Sequence, residues 1–119
     1  MSTGREILEA AYRAFNARDI DAALATMHPD VAWPNGMEGG YVHGHRDVRD
    51  YWTRQWAIID PRVEPLGFEV DRDGRIVVNV HQVVRDLAGR VKADRIVQHV
   101  YELRDQLIVS MEIRTEPLG

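Results

Sequence analysis

The sequence contains no cysteine and no long apolar segment. Without cysteine, the chain has neither disulfides nor a thiolate that acts as nucleophile or metal ligand, and it suits a reducing compartment. No apolar run approaches the ~20 residues that span a bilayer. The opening "MSTGREILEA" lacks the basic and apolar segments of a signal peptide. We therefore expect a soluble, cytoplasmic protein that does not bind membranes.

The chain also lacks an excess of positive charge. The chain has 15 Lys and Arg against 19 Asp and Glu, a formal net charge of -4. It therefore lacks the basic field that attracts nucleic acid, and we expect no nucleic-acid partner. Its content of 45% hydrophobic and 29% charged residues is that of a globular protein, which argues against disorder. We expect one domain over residues 1–119, long enough to bury its own core.

The first half of the chain has the periodicity of helices. Thr3 and Glu6 have the spacing of a capping box, and an apolar stripe follows them as far as Phe15. Asp19 begins a second, short helix, which we expect Pro29 to end because proline cannot continue the hydrogen-bond ladder. The stretch "DVAWPN" then alternates like a short strand.

A glycine-rich stretch, "GMEGGYVHGH", predicts a loop before the third helix. That helix is predicted over residues 46–60, with Val48, Trp52, Trp56 and Ile59 stacked on one face and Pro61 closing it.

The second half changes to the period of two that strands have. Four consecutive antiparallel strands are predicted, with hairpin turns at residues 73–74, 88–89 and 105–106. Helices followed by a meander indicate an α+β domain: a cone-shaped barrel with the N-terminal helices packed in the concave face of a curved, mostly antiparallel sheet. The outer face of that sheet is half apolar, so we expect a homodimer through it.

One histidine stands out in the stretch "IVQHVYELRD". Alternation puts His99 on the apolar side of its strand, between Val97 and Tyr101. It is either a core residue whose hydrogen bonds are satisfied or the polar group of a binding cavity.

The order of these elements resembles the nuclear transport factor 2-like superfamily, which includes SnoaL-like polyketide cyclases and ketosteroid isomerases. The resemblance covers nearly the whole chain and is carried by "YRAFNARDIDAALATMHPDV", "GHRDVRDYW" and "HVYELRDQLIVSMEI". It implies a conical pocket for a small hydrophobic ligand, with no metal or other cofactor. It implies much less about activity, because this fold hosts enzymes and binding modules alike.

The resemblance also implies roles for single positions. The catalytic carboxylate of ketosteroid isomerases matches Asn35, which cannot accept a proton at neutral pH. Their first-helix tyrosine falls at about Ala11, with Tyr12 expected to be rotated away, and their second oxyanion donor matches His99. We therefore expect something other than an ordinary ketosteroid isomerase.

These residues predict a cofactor-independent isomerase or cyclase for a hydrophobic carbonyl or polycyclic ligand. His99 would act as acid or base. Asn35 would stabilise charge on a ligand oxygen, although beside Gly36 it is equally suited to a turn. The alternative is a non-catalytic, dimeric ligand-binding or association domain. The expected ligand-binding residues are Trp33, Trp52, Trp56, Gln82, Tyr101, Met111 and Tyr41.

Other kinds of site have weak signals. The histidines of "HGH", His43 and His45, lie in the glycine-rich stretch without a metal-binding pattern around them, so no metal site is expected. A relative of the epoxide hydrolases would need a carboxylate–arginine–carboxylate set in the cone. Asp94 and Arg95 point to opposite faces of their strand, so only Arg95 could belong to such a set.

Overall fold

The computed structural model describes residues 3–114, which form three helices and one sheet of six strands. The strand order is β2-β1-β6-β5-β4-β3, with β1 and β6 parallel and the other neighbours antiparallel. The expected α+β cone is confirmed: the helices pack on a curved, unclosed sheet. The elements are α1 Gly4–Asn16, α2 Ile20–Leu24, β1 Met27–Pro34, β2 Tyr41–His43, α3 Gly44–Trp56, β3 Ile59–Val70, β4 Ile76–Asp86, β5 Val91–Arg104 and β6 Leu107–Arg114.

The caps of the first two helices are as predicted. The backbone N–H of Glu6 donates to the Thr3 hydroxyl, and the Thr3 N–H donates to the Glu6 carboxylate, which completes the capping box. The Asp19 carboxylate accepts a hydrogen bond from the Ala22 N–H and so caps α2. These contacts satisfy N–H groups that a helix start otherwise leaves unpaired.

Both prolines expected to end helices lie inside strands, so that prediction was wrong. α2 ends at Leu24, and Pro29 lies in β1, where the pairing with β6 is irregular. α3 ends at Trp56, and Pro61 lies in β3, the edge strand. Ile59, expected on the third helix, also belongs to β3. Proline lacks the N–H that a central strand needs, but edge strands and irregular pairings tolerate it.

The glycine-rich stretch is only partly a loop. Its last part forms β2, in which Val42 pairs with Trp33 of β1. α3 then begins at Gly44, whose φ is 81°. The loop prediction was therefore wrong for residues 41–45.

The meander is confirmed, with long antiparallel ladders from β3 to β6. The turn between β5 and β6 consists of Asp105 and Gln106, which have φ values of 53° and 66°. The concave face of β5 carries the buried side chains of Val97, His99 and Tyr101. This strand therefore delivers the predicted histidine to the space under the helices.

The core lies between the helices and the concave face of the sheet. Its largest fully buried side chains include Trp52, Tyr101 and Leu8. Among residues 3–114, none of the helices is both long and apolar enough to cross a bilayer.

Candidate functional site

A cavity of about 270 Å³ lies between α1, α3 and the concave face of the sheet. Its walls are mainly apolar and include Phe15, Met27, Val63 and Val84. An apolar cavity with a few polar groups is the usual form of a small-molecule site. The polar side chains that line it are Tyr12, Tyr51, Gln55, Gln82, Arg95, His99 and Tyr101.

Three of these side chains form a buried hydrogen-bonded chain. The Tyr101 hydroxyl donates to the Tyr12 hydroxyl oxygen over 2.8 Å. The Tyr12 hydroxyl in turn lies 2.8 Å from Nδ1 of His99. The rings of Tyr12 and His99 are nearly parallel, at 12°, while Tyr101 packs edge-on against both. We call Tyr12, His99 and Tyr101 the triad.

The hydrogen positions in the triad follow from the requirement that each tyrosine hydroxyl donates one hydrogen bond. Tyr101 has hydrogen-bond contacts only with the other two members within residues 3–114, so its proton points at Tyr12. Tyr12 then donates its own proton to Nδ1 of His99. A neutral imidazole that accepts at Nδ1 carries its proton on Nε2. This Nε2–H makes no hydrogen bond within residues 3–114 and is available to a ligand.

Burial holds all three groups in their neutral forms at physiological pH. Desolvation lowers the pKa of His99 from 6.5 to about 4. Desolvation likewise raises the pKa of Tyr12 and of Tyr101 above the ordinary phenol value. The triad is therefore an uncharged donor chain in an apolar wall, where hydrogen bonds are stronger than in water.

Tyr12 is a correction to the sequence analysis. It was expected to be rotated away from the cone, yet its side chain is 5% exposed and contacts His99 directly. The apolar stripe of α1 spans both Ala11 and Tyr12, and both line the cavity. The periodicity of the helix indicated this face but not which residue reaches the histidine.

Asn35 lies in the loop after β1 and is outside the cavity lining. Its side-chain oxygen accepts the backbone N–H groups of Met37 and Glu38. Its amide nitrogen donates to the Glu38 carboxylate over 2.8 Å. This geometry gives Asn35 the turn role and does not support the expected contact with a ligand oxygen.

The tryptophans divide between the cavity and the packing behind it. Trp33 and Trp52 line the cavity and meet edge-on, with ring centroids 5.6 Å apart. Trp56 is not in the lining; it stacks on Trp52 and lies under the Arg18 guanidinium, 4.9 Å from its ring centre. Its expected ligand contact is therefore not supported.

Most of the other residues expected at the ligand site line the cavity, but Tyr41 does not. Gln82 and Met111 line the cavity together with Tyr101, as the strand parity predicted. Tyr41 is 51% exposed and lies outside the main cavity, on a second pocket at its mouth. Arg95 lines the main cavity, whereas Asp94 bonds to His81 on the other face of the sheet.

Two polar groups of α3 were missed by sequence reasoning. The Tyr51 hydroxyl accepts from the Gly36 N–H and from the Gln55 amide, which joins α3 to the loop after β1. Both side chains line the cavity. Val48, Tyr51, Trp52 and Gln55 have the i, i+3, i+4, i+7 spacing of one helix face, a signal that was present.

One histidine of "HGH" has a local structural role. His45 Nε2 lies 2.9 Å from the Met27 carbonyl oxygen, which anchors the first turn of α3 to β1. Residues 3–114 contain no cluster of three or more metal-ligating side chains.

The sequence matches the model of the SnoaL-like domain family over residues 8–111. The chain belongs to the SnoaL-like domain family. Membership accounts for the order of helices and strands and for the position of the cavity between them. None of the curated proteins matches the sequence significantly.

Solved structures agree with this assignment to the SnoaL-like domain family. TerC, co-crystallised with polyporic acid, is 31% identical, with a TM-score of 0.83 over 97% of this chain and 92% of TerC. A nuclear transport factor 2-like protein of unknown function from Burkholderia pseudomallei is also 31% identical, with a TM-score of 0.83 over 98% of this chain and 92% of its own. A candidate polyketide cyclase from Pseudomonas putida shares the fold at 19% identity, with a TM-score of 0.83 over 98% of this chain and 93% of its own.

Proposed function

We propose that this chain binds a flat hydrophobic carbonyl compound in its cavity and catalyses proton transfer on it without a cofactor. The reaction class is an enol–keto isomerisation or an aldol-type ring closure. The observation that carries the proposal is the triad, a buried donor chain that ends at an unoccupied Nε2–H of His99. Such a chain is suited to a carbonyl oxygen that gains negative charge during the reaction.

In this mechanism the ligand carbonyl accepts a hydrogen bond from Nε2–H of His99. As a carbon–carbon bond forms at that carbonyl, the hydrogen bond from Nε2–H stabilises the negative charge on its oxygen. The O–H proton of the attacking enol is transferred to this oxygen, which becomes a hydroxyl, so His99 stays neutral and the cycle consumes no proton. Tyr12 strengthens the donor by fixing the tautomer, and Tyr101 fixes Tyr12 in turn.

The walls support a flat ligand. Trp33 and Trp52 offer perpendicular aromatic surfaces, and Phe15 packs edge-on against Trp52 at 5.4 Å. Aromatic rings pack well in such offset and edge-on arrangements. TerC, at 31% identity, was co-crystallised with polyporic acid, and this supports aromatic carbonyl compounds as the first class to test here.

A second candidate function is non-catalytic ligand binding. No carboxylate lines the cavity among the described residues, and His99, with a pKa of about 4, is a weak base. In a binding domain the triad would recognise a carbonyl oxygen without driving a reaction. Binding is common to both functions, and turnover distinguishes them.

The first test is a thermal-shift and tryptophan-fluorescence screen with polyporic acid, polycyclic phenols, steroids and small aromatic ketones. A ligand at 100 times its dissociation constant stabilises the fold by about 2.7 kcal/mol. We expect one class to bind, His99→Gln and Tyr12→Phe to weaken it at least tenfold, and His81→Gln on the outer face to leave it unchanged.

Turnover of the bound class, followed by absorbance and product analysis, then separates catalysis from binding alone. Loss of turnover in His99→Gln, with the ligand still bound at saturating concentration, supports the proposed reaction. Failure of every class to bind folded wild-type protein would overturn the proposed function.

A further inference from the structure

The guanidinium of Arg95 lies at the mouth of the cavity. Arg95 is on the concave face of β5, four residues before His99, which puts their Cα atoms about 13 Å apart along an extended strand. Arg95 is exposed, whereas Val97, His99 and Tyr101 beyond it are buried. The strand thus leads from a charged mouth to the triad at the inner end.

Arg95 also lines a second pocket, which we call the vestibule. Five residues line both the vestibule and the main cavity, so the two spaces adjoin and a ligand long enough can occupy both. The shared residues are Pro34, Gly36, Gln82, Arg95 and Ile113.

Arg95 is the only formally charged side chain among the described residues that line either space. Within residues 3–114 it forms no salt bridge with a carboxylate. Gln82 lies directly opposite it in the register of β4 and β5, so an amide adjoins the guanidinium. The protein as a whole is acidic, with a net charge of -4, so this positive site is a local feature.

We infer that the ligand is an aromatic acid whose anionic group binds Arg95 and Gln82 while its carbonyl-bearing end reaches the triad. This inference rests on the proposed function and names its substrate class. A guanidinium pairs with a carboxylate through two parallel hydrogen bonds, and the neighbouring amide adds a donor. The cation attracts acidic ligands to the mouth of the cavity. Because Arg95 then holds the anionic end at the mouth, the carbonyl-bearing end is the one that enters the cavity.

The test uses two probes of the same shape, biphenyl-4-carboxylate and biphenyl-4-carboxamide. Binding is measured by quenching of tryptophan fluorescence and by calorimetry at low and at high salt. The variants are Arg95→Gln and, as a matched control, Arg85→Gln, which makes the same change in net charge outside both spaces. Thermal unfolding of each variant confirms that it is folded.

Wild-type protein is expected to bind the carboxylate about tenfold tighter than the carboxamide, because charge-assisted hydrogen bonds exceed neutral ones. Arg95→Gln is expected to abolish this preference while keeping the affinity for the carboxamide within about twofold, and Arg85→Gln to retain the preference. Salt is expected to weaken the preference, since Arg95 is exposed.

Equal binding of the two probes by wild-type protein, or an undiminished preference in Arg95→Gln, would overturn this inference and leave the proposed function intact. Binding of neither probe would overturn the inference. The wider ligand screen would then decide the proposed function separately.

Discussion

The Tyr12 hydroxyl oxygen lies 2.8 Å from Nδ1 of His99, although 87 residues separate the two in the sequence. The contact joins the first helix to the fifth strand across the core. It gives the imidazole one defined tautomer and directs its remaining N–H to the cavity. Much of the chemistry proposed for this chain depends on that one contact.

The tautomer of His99 is the first prediction. The ¹⁵N shifts of the imidazole should show Nε2 protonated and Nδ1 unprotonated at pH 7, because Nδ1 accepts from Tyr12. Tyr12→Phe should remove this preference and destabilise the fold by about 1–3 kcal/mol, the usual cost of a buried polar atom left unpaired. A wild-type spectrum with the proton on Nδ1 would contradict this prediction, because His99 would then donate to Tyr12 and its Nε2 would be a base.

Stability should depend on pH through His99. Its pKa is lowered from 6.5 to about 4 in the folded state, so between these values the unfolded chain binds a proton that the folded chain does not. The free energy of unfolding contributed by this group is therefore complete above pH 6.5 and falls as the pH drops towards 4. The loss amounts to about 3 kcal/mol.

Urea unfolding at several pH values checks this, with His99→Gln as the reference because glutamine does not titrate. The difference between wild type and variant isolates His99 from the other histidines and the carboxylates. If the two free energies run parallel from pH 7 to pH 4, His99 keeps an ordinary pKa and the burial argument fails.

The role of Asn35 can be tested with Asn35→Asp. An aspartate can still accept the two backbone N–H groups of the loop, but it cannot donate to the Glu38 carboxylate or to a ligand oxygen. Since the amide is engaged within the loop, we expect ligand affinity to stay within about threefold. If a folded Asn35→Asp protein no longer binds the ligand, Asn35 contacts the ligand oxygen as the sequence analysis expected.

The hairpin turn between β5 and β6 contains backbone strain that a substitution with glycine should relieve. Asp105 and Gln106 both have positive φ, the geometry of a type I′ turn that favours glycine at its second position. Gln106→Gly should stabilise the fold by about 0.5–1 kcal/mol, because the left-handed conformation is unfavourable for a residue with a Cβ. Calorimetry should show a melting temperature higher by about 3 °C. Gln106→Ala keeps the strain, so equal melting temperatures for the two variants would contradict this account.

We also propose a homodimer through the outer face of the sheet. Val77 and Val100 on that face are already buried in the single chain, but Ile96 is 64% exposed beside His81. Light scattering at micromolar concentration should give twice the 13.6 kDa of one chain. Ile96→Asp should yield monomers, whereas Leu87→Asp, equally exposed in a hairpin turn, should not. A light-scattering mass of 13.6 kDa for the wild-type protein would contradict the proposed homodimer.

Local signals in the sequence predicted much of the fold. The capping box at Thr3 and Glu6 depends on residues three apart, and the alternation of Val97, His99 and Tyr101 depends only on strand geometry. Neither needs knowledge of the rest of the chain. The prediction that His99 faces the concave side was therefore within reach of the sequence.

The errors occurred where two local preferences compete. Pro29 and Pro61 oppose helix and strand alike, and the sheet accommodates them at an irregular pairing and on an edge strand. Asn35 is suited both to a turn and to an oxyanion site, and the orientation of the loop decides between them. The sequence alone does not decide between two such local structures.

The sequence by itself determined the α+β class, the meander and the face on which His99 lies, because hydrophobic periodicity and capping act over a few residues. Only the tertiary structure decided that Tyr12 rather than Ala11 reaches the histidine, that the Asn35 side chain bonds within its own loop and that Arg95 lies at the mouth of the cavity. Those relationships depend on how helices rotate and pack across the sheet, and packing balances contacts between residues far apart in the chain.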